Sequence, residues 1–327
     1  MTPMLRRLAA TATAAALLAG PAMAETLKLA HWVPPQHVLT SSTIEPLQAA
    51  VEGSGLEIEV YPGGELGAGP LEQYIRAVQG VADITWGLQG YTSSQFPRTM
   101  LSELPGALPE GMNGYDLIWN AYEAGQLADE FPGTVPLALW LSEPNIFIMK
   151  DIDVRTPEDL QGLKIRVSGS AAAATIEALG ATPVQMPAGE IYNALQTGLI
   201  DGVVTGASAV ADFRLDEVAN SYTIGAPLGR ISFYLVMNEA RYNALPEAER
   251  TALDSIAGRA LSQSAEEGWN ARALETLDAL EATGDNDVYY LSDEEAAAFG
   301  ELTLPVTEQI VGSVDEGQMV LDTMQGM

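Results

Sequence analysis

Residues 159–202 read DLQGLKIRVSGSAAAATIEALGATPVQMPAGEIYNALQTGLIDG. Short apolar segments alternate here with segments of helical spacing, and glycines or prolines separate them. The predicted elements are strands at Leu163–Val167, Thr182–Met186 and Asp201–Val204, a helix over about 170–179 stopped by Gly180, and a helix with Ile191, Ala194, Leu195 and Leu199 on one face. This alternation of strands and helices is typical of an α/β fold.

The same alternation extends on both sides of this stretch. The further predicted strands are Thr26–Trp32, Leu56–Tyr61, Asp83–Trp86 and Ile231–Asn238; the further predicted helices cover about 38–52 and 246–281, and one more presents Leu71, Tyr74, Ile75 and Val78 on an apolar face. Ser292 and Glu295 have the spacing of a capping box before the last helices. The pattern therefore predicts an α/β fold over nearly the whole chain.

A polar connector, Asp153–Gly162, separates two rounds of this pattern. Within it Thr156 can cap a helical turn that has Pro157 at its first position. A chain of 327 residues is also too long for one compact core. We therefore predict two lobes: residues 25–149 plus about 236–283 form lobe I, and residues 150–235 plus about 284–327 form lobe II.

The first 24 residues have the pattern of an export signal. Two arginines precede an apolar run over residues 8–20, which is too short for a permanent membrane anchor, and Ala22-Met23-Ala24 supplies a small-residue cleavage site. We expect cleavage after Ala24 and a periplasmic protein that begins at Glu25. The alternative is an N-terminal membrane anchor.

The composition excludes several functional classes. With 15 Lys and Arg against 44 Asp and Glu, the formal net charge is −29, so contact with nucleic acid or anionic lipid is not expected. The chain has no cysteine, which excludes disulfides and thiol chemistry. Hydrophobic residues make up 47%, as in a globular protein. The sequence has no heptad pattern, so we expect a monomer. We also expect that the protein is not itself embedded in the membrane.

No motif for catalysis, metal or nucleotide binding is found. The two histidines, His31 and His37, lack the further ligands of a zinc motif, so a histidine that lines a pocket is favoured over a metal site. Gly-x-Ser-x-Gly, Walker A and dinucleotide-binding patterns are missing. We therefore predict no catalytic residues, no cofactor and no enzymatic activity. A secreted hydrolase of unknown mechanism and a ligand-binding sensor remain open as alternatives.

Arg166 is the residue best placed to bind a ligand. It lies near the carboxyl end of a predicted strand, before the turn around Gly169 that opens a helix, and backbone N–H groups at a helix start favour an anion. Its guanidinium can hold a carboxylate through two parallel hydrogen bonds. The alternative is a surface salt bridge with one of the 44 acids, and position alone slightly favours that alternative.

Residues 159–202 closely resemble the signature of the solute-binding proteins of tripartite ATP-independent periplasmic (TRAP) transporters, the dicarboxylate-binding-protein family. That signature is D-L-x-G-x-K-I-R, then L-G-A-x-P, then M-P-x-x-E-x-Y-x-A-L-Q-x-G-x-x-D-G. The matching residues are Asp159, Leu160, Gly162, Lys164, Ile165, Arg166, Leu179, Gly180, Ala181, Pro183, Met186, Pro187, Glu190, Tyr192, Ala194, Leu195, Gln196, Gly198, Asp201 and Gly202. Weaker matches extend over most of the mature chain.

The resemblance implies a two-lobed periplasmic-binding-protein-like fold, with hinge strands, a long spanning helix and a ligand cleft that closes between the lobes. It implies that Arg166 pairs with the carboxylate of a small organic ligand. It also implies partners, a small and a large TRAP membrane subunit, which take up the ligand with the energy of an ion gradient.

Two departures from the family bear on the ligand. Many relatives continue with Q-E-N-P after the Asp-Gly pair, whereas this chain has Val203–Gly206, so that Thr205 offers only a hydroxyl. Some relatives carry a second arginine after a tryptophan-centred strand, where the nearest candidate here is Asn145. Fewer cationic partners argue against a dicarboxylate.

Several aromatic residues fall in segments that line the cleft in the family. They are Trp32, Trp86, Tyr91, Trp140 and Phe233. Core packing is the alternative for each ring taken alone. Together they predict a monocarboxylate with an apolar or aromatic body, stacked by rings and anchored by Arg166, with Gly169, Thr205 and Asn145 as further candidate contacts.

Overall fold

The computed structural model describes residues 25–67 and 69–327. The predicted export signal and its cleavage site lie outside the described residues. In the described part the chain is α/β, as predicted, with strands in two sheets and helices packed against both. None of the helices in this part combines the length and the apolar character that crossing a membrane requires.

The strands, in chain order, are β1 (Glu25–Ala30), β2 (Leu56–Tyr61), β3 (Ile84–Leu88), β4 (Thr134–Leu141), β5 (Asn145–Met149), β6 (Lys164–Val167), β7 (Thr182–Gln185), β8 (Gly202–Gly206), β9 (Ser221–Ile224), β10 (Ser232–Asn238) and β11 (Asp287–Tyr290). The α-helices are α1 (Glu45–Val51), α2 (Gln73–Val78), α3 (Gly114–Glu123), α4 (Ser170–Ala178), α5 (Ile191–Thr197), α6 (Ser208–Asp212), α7 (Glu239–Ala244), α8 (Glu247–Asp254), α9 (Arg259–Thr283), α10 (Asp293–Ser313) and α11 (Gly317–Met324). A π-helical turn at Thr40–Ile44 precedes α1, and 3-10 turns include Gln89–Gln95 and Thr99–Glu103.

The first sheet has the strand order β2-β1-β3-β10-β4. β1 pairs in parallel with β2 and β3, whereas β10 runs antiparallel to β3 and β4. Apolar side chains of α1 and α9 cover one face, and those of α3 and α11 cover the other. Because β3 and β10 are buried on both faces, their sequences are apolar runs instead of alternating patterns.

The second sheet has the strand order β11-β9-β5-β8-β6-β7. β6 is parallel to β7 and β8, and β5 is antiparallel to β8 and β9. The register pairs Arg166 with Val184 and Val203. Because alternate residues of a strand share a face, Thr205 lies on the same face of the sheet as Arg166.

Two extended segments cross between the sheets side by side. One connects β4 to β5 through residues 142–144, and the other leads into β10 through residues 229–231. The backbone N–H of Ser142 donates to the carbonyl of Ile231 at 2.7 Å, and that of Asn145 donates to the carbonyl of Gly229 at 3.0 Å. α9 packs on β4 of the first sheet and on α6 and β11 of the second, so it also bridges the two halves.

We propose that the two lobes follow the two sheets. On this basis Asn145–Met149 belongs to lobe II, because β5 pairs with β8 and β9, whereas the sequence predicts it in lobe I. Likewise β10 belongs to lobe I from Ser232 onward. Helix α11 packs on α3, so the end of the chain returns to lobe I although the sequence predicts it in lobe II.

The predicted apolar face of α2 is half right: Tyr74 is buried and Val78 packs against the core, but the other two residues do not. Leu71 and Ile75 lie on the surface, 49% and 45% exposed, whereas Tyr74 and Ala77 face the core. Arg76 is also buried, and its Nη1 donates to the carbonyl of Gly69 at 3.0 Å. Arg76 also pairs with Glu72 at 3.6 Å, so a buried arginine with polar partners takes a place on the inner side of the helix, while two apolar residues that the periodicity favoured stay on the surface.

The segment predicted as one helix over 246–281 forms two, α8 and α9. The chain bends at Gly258, whose φ of +83° is readily available only to glycine. Leu199 is likewise not on the apolar face of α5, because Gly198 ends that helix in the left-handed region. The remaining predicted elements are present, with ends that differ by a residue or two.

Candidate functional site

A cavity lies in the cleft between the two sheets. Strand ends and loops of both lobes contribute to it, together with one side chain of α9. The lining residues are Trp32, His37, Trp86, Leu88, Ser142, Arg166, Ala188, Thr205, Gly206, Ser208, Ala209, Phe213, Ile231, Phe233 and Trp269. Within the described part of the chain, Arg166 is the only Lys, Arg, Asp or Glu in this lining.

Arg166 is almost fully buried, with 1% of its surface exposed. Its Nε and Nη2 donate to the carbonyl of Met186 at 3.0 and 2.9 Å. Among residues 25–67 and 69–327 it forms no ion pair with an Asp or Glu, so the alternative of a surface salt bridge is wrong. Burial lowers the pKa of its guanidinium, although an arginine stays protonated in a protein.

Tyr91 reaches Arg166 from the opposite lobe. It lies in the 3-10 turn Gln89–Gln95 of lobe I, and its Oη is 3.4 Å from Nη2 of Arg166. The same oxygen accepts a hydrogen bond from the backbone N–H of Ala188 at 2.8 Å. Burial raises the pKa of the Tyr91 phenol, which Arg166 opposes, so the hydroxyl is protonated at neutral pH.

The same turn touches the start of α4. Ser93 Oγ accepts from the backbone N–H of Ser170 at 3.3 Å. Gly90 and Gly169 meet without side chains, since a Cβ on Gly169 would lie 2.7 Å from the Cα of Gly90. The two lobes are therefore in direct backbone contact here, beside Arg166, the candidate residue for binding an anion.

Aromatic side chains form the other wall of the cavity. Trp86 on β3 and Phe233 on β10 stack with their ring centroids 5.6 Å apart. Trp32, from the loop after β1, stacks on Trp86 at 5.5 Å and on Phe213 at 6.1 Å. Trp269 of α9 completes the wall, 5.2 Å from Phe233. Such a wall offers planar apolar surface for a ring.

His37 lies among these rings as a neutral imidazole. Its Nδ1 accepts from the backbone N–H of Leu39 at 3.1 Å, so its proton is on Nε2, which is 3.5 Å from Oδ2 of Asp212. That distance would suit an ion pair, but burial lowers the pKa of His37 to about 3. Burial also raises the pKa of Asp212 to about 6, although Arg272 pairs with its Oδ1 at 3.2 Å. At neutral pH His37 is therefore uncharged and adds no positive charge to the cavity.

Polar side chains near Arg166 are few. Thr205 is the penultimate residue of β8 and lies on the same face of the sheet as Arg166. It is buried, and its hydroxyl makes no hydrogen bond with the described residues. Glu143 lies behind Gly206 and accepts from the backbone N–H of Ser208 at 2.7 Å. Burial raises the pKa of Glu143 to about 7. Glu143 itself does not line the cavity, and Arg166 remains the one ionised side chain of the described lining.

The structure brings five of the nine predicted site residues together in the cavity lining: Trp32, Trp86, Arg166, Thr205 and Phe233. Four others lie outside it. Trp140 pairs in register with Phe233 on the neighbouring strand and is buried behind it, 5.4 Å away. Asn145 begins β5 directly after the first crossing segment, and its Nδ2 donates to the carbonyl of Leu228 at 3.2 Å. Tyr91 and Gly169 lie at the contact between the lobes.

Sequence reasoning missed Phe213 and Trp269 and predicted His37 only as a histidine that lines a pocket. One signal was present for Trp269, because it is the only aromatic residue of α9. Phe213 follows the short α6 and carries no periodic pattern that would reveal it. Among the described residues, no group of His, Asp and Glu is arranged to hold a metal ion.

The family model for bacterial extracellular solute-binding proteins, family 7, matches residues 29–313, which span both sheets. The chain belongs to this family. Members of family 7 similar to this chain include TRAP solute-binding proteins and periplasmic C4-dicarboxylate-binding proteins. The predicted resemblance to TRAP solute-binding proteins and the predicted two-lobed fold are therefore confirmed.

Three proteins similar to this chain, two of them solved structures, show how far the likeness extends. The ectoine-binding periplasmic protein TeaA of Halomonas elongata is 28% identical over 283 residues, which cover 83% of this chain and 80% of TeaA. A TRAP solute-binding protein of Rhodoferax ferrireducens, solved with copurified benzoate, is 30% identical, with a TM-score of 0.84 and coverage of 92% and 96%. One from a marine metagenome, solved with 3-hydroxybenzoate, is 25% identical, with a TM-score of 0.84 and coverage of 93% and 98%.

Proposed function

We propose that this protein binds an aromatic monocarboxylate in the periplasm and delivers it to the membrane subunits of a TRAP transporter. One observation carries the proposal. Within the described part of the chain, the cavity lining has a single ionised side chain, Arg166, which lacks an acidic partner, and most of the other lining groups are rings or aliphatic side chains. The ligand would supply the missing negative charge and a flat apolar body.

The charge balance supports a single carboxylate. A buried charge without a partner costs several kcal/mol, and a carboxylate held by the guanidinium offsets that cost. Hydrogen bonds to a charged group contribute roughly 1.5–3 kcal/mol each, and the unpaired hydroxyl of Thr205 lies on the face where it can add one. A second carboxylate would have to lie against the rings, where no cation lines the described cavity.

The rings support an aromatic body. Trp32, Trp86 and Phe213 stack in nearly parallel planes, and Phe233 and Trp269 extend the same surface. Burial of apolar ring surface contributes about 25 cal/mol per Å². Benzoate and 3-hydroxybenzoate, found in two solved relatives, combine one carboxylate with one ring. We propose the same ligand class for this chain, because its cavity lining combines one guanidinium with several rings.

We further propose that the protein releases its ligand unchanged, acts as a monomer, and is exported with cleavage after Ala24. The sequence contains no recognised catalytic motif, and the chain belongs to a family of solute-binding proteins. Both facts favour binding over hydrolysis. Hydrolysis would appear as loss of the ligand on incubation with the protein. A sensor would bind the same ligand without supporting uptake, so ligand uptake by cells with and without the gene separates the two roles.

The first test is ligand binding to residues 25–327, followed by thermal melting and by tryptophan fluorescence. The ligands are benzoate, 3-hydroxybenzoate, succinate, ectoine and the uncharged benzamide. We expect the aromatic acids to raise the melting temperature most, because a ligand at 100 times its Kd adds about 2.7 kcal/mol of stability. Dominant binding of succinate, or equal binding of benzamide and benzoate, would contradict the proposal.

The anchor is tested with two arginine variants. Arg166→Ala should abolish the benzoate response, while Arg250→Ala, on α8 and outside the cavity lining, should leave it unchanged. Both variants remove one positive charge, so a general electrostatic effect would move them together. Retention of benzoate binding by Arg166→Ala would show that another group holds the carboxylate.

A further inference from the structure

Tyr91 connects the two lobes at the end of the cavity where Arg166 lies. Its ring belongs to lobe I, where it lies 6.1 Å from the ring of Trp32. Within the described residues, its hydroxyl hydrogen-bonds to lobe II alone: to Nη2 of Arg166 at 3.4 Å and to the backbone N–H of Ala188 at 2.8 Å. Both of these partners line the cavity. Separation of the lobes would therefore break both contacts at once.

Donors outnumber acceptors around the Tyr91 hydroxyl. Arg166 and Ala188 both donate to its oxygen, and within the described residues its own hydrogen has no acceptor. The carbonyl of Met186 satisfies only part of the Arg166 guanidinium, which carries five N–H donors. An acceptor from outside the chain, such as a ligand carboxylate, would complete this group.

Close contact of the lobes at this point is built into the backbone. Gly90 precedes Tyr91, and the Cα of Gly90 approaches Gly169 so closely that a side chain on Gly169 would overlap it. The φ of Gly169 is −161°, which any residue adopts, so the lack of space and not the backbone conformation calls for glycine. Ser93 adds the hydrogen bond to Ser170 at the start of α4.

We propose that Tyr91 is a positioning residue: it holds Arg166 from lobe I when the lobes are closed, and so slows the release of a bound anion. The inference rests on the proposed function, since Arg166 must be the carboxylate anchor. Closure without an anion buries the Arg166 charge and leaves it uncompensated, which opposes the closed state. With an anion bound, Tyr91 fixes the guanidinium from lobe I, and the ligand cannot leave until this contact breaks.

The test is the kinetics of benzoate binding to Tyr91→Phe, followed by stopped-flow tryptophan fluorescence. Because the Tyr91 contact forms after the ligand has entered, we expect the dissociation rate to rise about tenfold, equivalent to about 1.4 kcal/mol, and the association rate to stay within about twofold. Tyr192→Phe is the matched control. It also removes a phenolic hydroxyl, which bonds Glu217 at 2.9 Å outside the cavity lining, and it should leave both rates unchanged.

A purely structural role of Tyr91 would lower the melting temperature of the ligand-free protein without changing the dissociation rate, and this result would overturn the proposal. If Tyr91→Phe does not fold, Gly169→Ala is the second variant, and steric separation of the lobes should raise the dissociation rate in the same way. Arg166→Ala separates the two hypotheses. If Arg166→Ala still binds benzoate, the role of Arg166 as the carboxylate anchor is refuted. If Arg166→Ala loses binding but Tyr91→Phe has unchanged kinetics, only the role of Tyr91 is refuted.

Discussion

Replacement of Glu103 by glutamine should make the protein less sensitive to pH. Glu103 ends the 3-10 turn Thr99–Glu103 and is only 3% exposed. Its Oε1 accepts from the backbone N–H of Ser232 at 2.9 Å and from the hydroxyl of Ser232 at 2.6 Å. No Lys or Arg of the described residues pairs with it, and burial raises the pKa of this carboxyl from 4.5 to about 7.

The magnitude follows from that shift. Below pH 4.5 both the folded and the unfolded chain carry a protonated Glu103, and its contribution to stability is fully present. Between pH 4.5 and 7 the unfolded chain releases the proton while the folded chain keeps it, so stability falls as the pH rises. At 1.36 kcal/mol per pKa unit, the loss by pH 7.5 amounts to about 3 kcal/mol. Glutamine keeps the acceptor oxygen and never ionises.

The assay is urea unfolding followed by circular dichroism at pH 4.5, 6 and 7.5. The unfolding free energy of Glu103→Gln minus that of the unaltered protein should increase by about 3 kcal/mol from pH 4.5 to pH 7.5. His31 and His37, whose pKa values burial lowers to about 4 and 3, affect both proteins alike and cancel in the difference. Glu301→Gln, an exposed site on α10, is the control. Parallel stability curves for Glu103→Gln and the unaltered protein would refute the reasoning.

Two predictions concern packing and capping. Gly268→Ala in α9 should cost about 1–3 kcal/mol and lower Tm, because its Cβ would lie 2.3 Å from the Cβ of Ser42; Gly312→Ala in α10, with open space around it, should instead raise Tm slightly, and equal shifts would contradict this account. Ser292→Ala should cost about 1 kcal/mol in urea unfolding, because it removes half of the capping box with Glu295, while Ser292→Thr should retain most of the stability.

The elements predictable from the sequence are those with a local cause. β2 has the predicted ends because its alternating pattern is bounded by glycines and a proline. The burial of Arg76 on α2 was not predictable, because it depends on the carbonyl of Gly69, which only the folded loop places within reach. The place of β5 in the second sheet was equally hidden, because strand pairing depends on residues far away in the chain.

The candidate site divides in the same way. Arg166 was recognisable because its position at a strand end and its flanking motif are local features. The order of the first sheet then decides which rings reach the cavity. Phe233 on β10 lies beside it, while Trp140, one strand further out on β4, is shielded by Phe233. Trp269 depends on the way α9 crosses both lobes, which no local pattern reveals.

The side-by-side crossing of residues 142–144 and 229–231 has a mechanical consequence. Hydrogen bonds from Ser142 to Ile231 and from Asn145 to Gly229 join the two segments into a narrow ribbon. A ribbon bends more easily across its face than it shears within its plane, so we expect the lobes to open mainly by rotation about one axis. The angle between the lobes would then describe most of the opening. Because the chain has no cysteine, one label introduced in each lobe would report that angle directly as a distance.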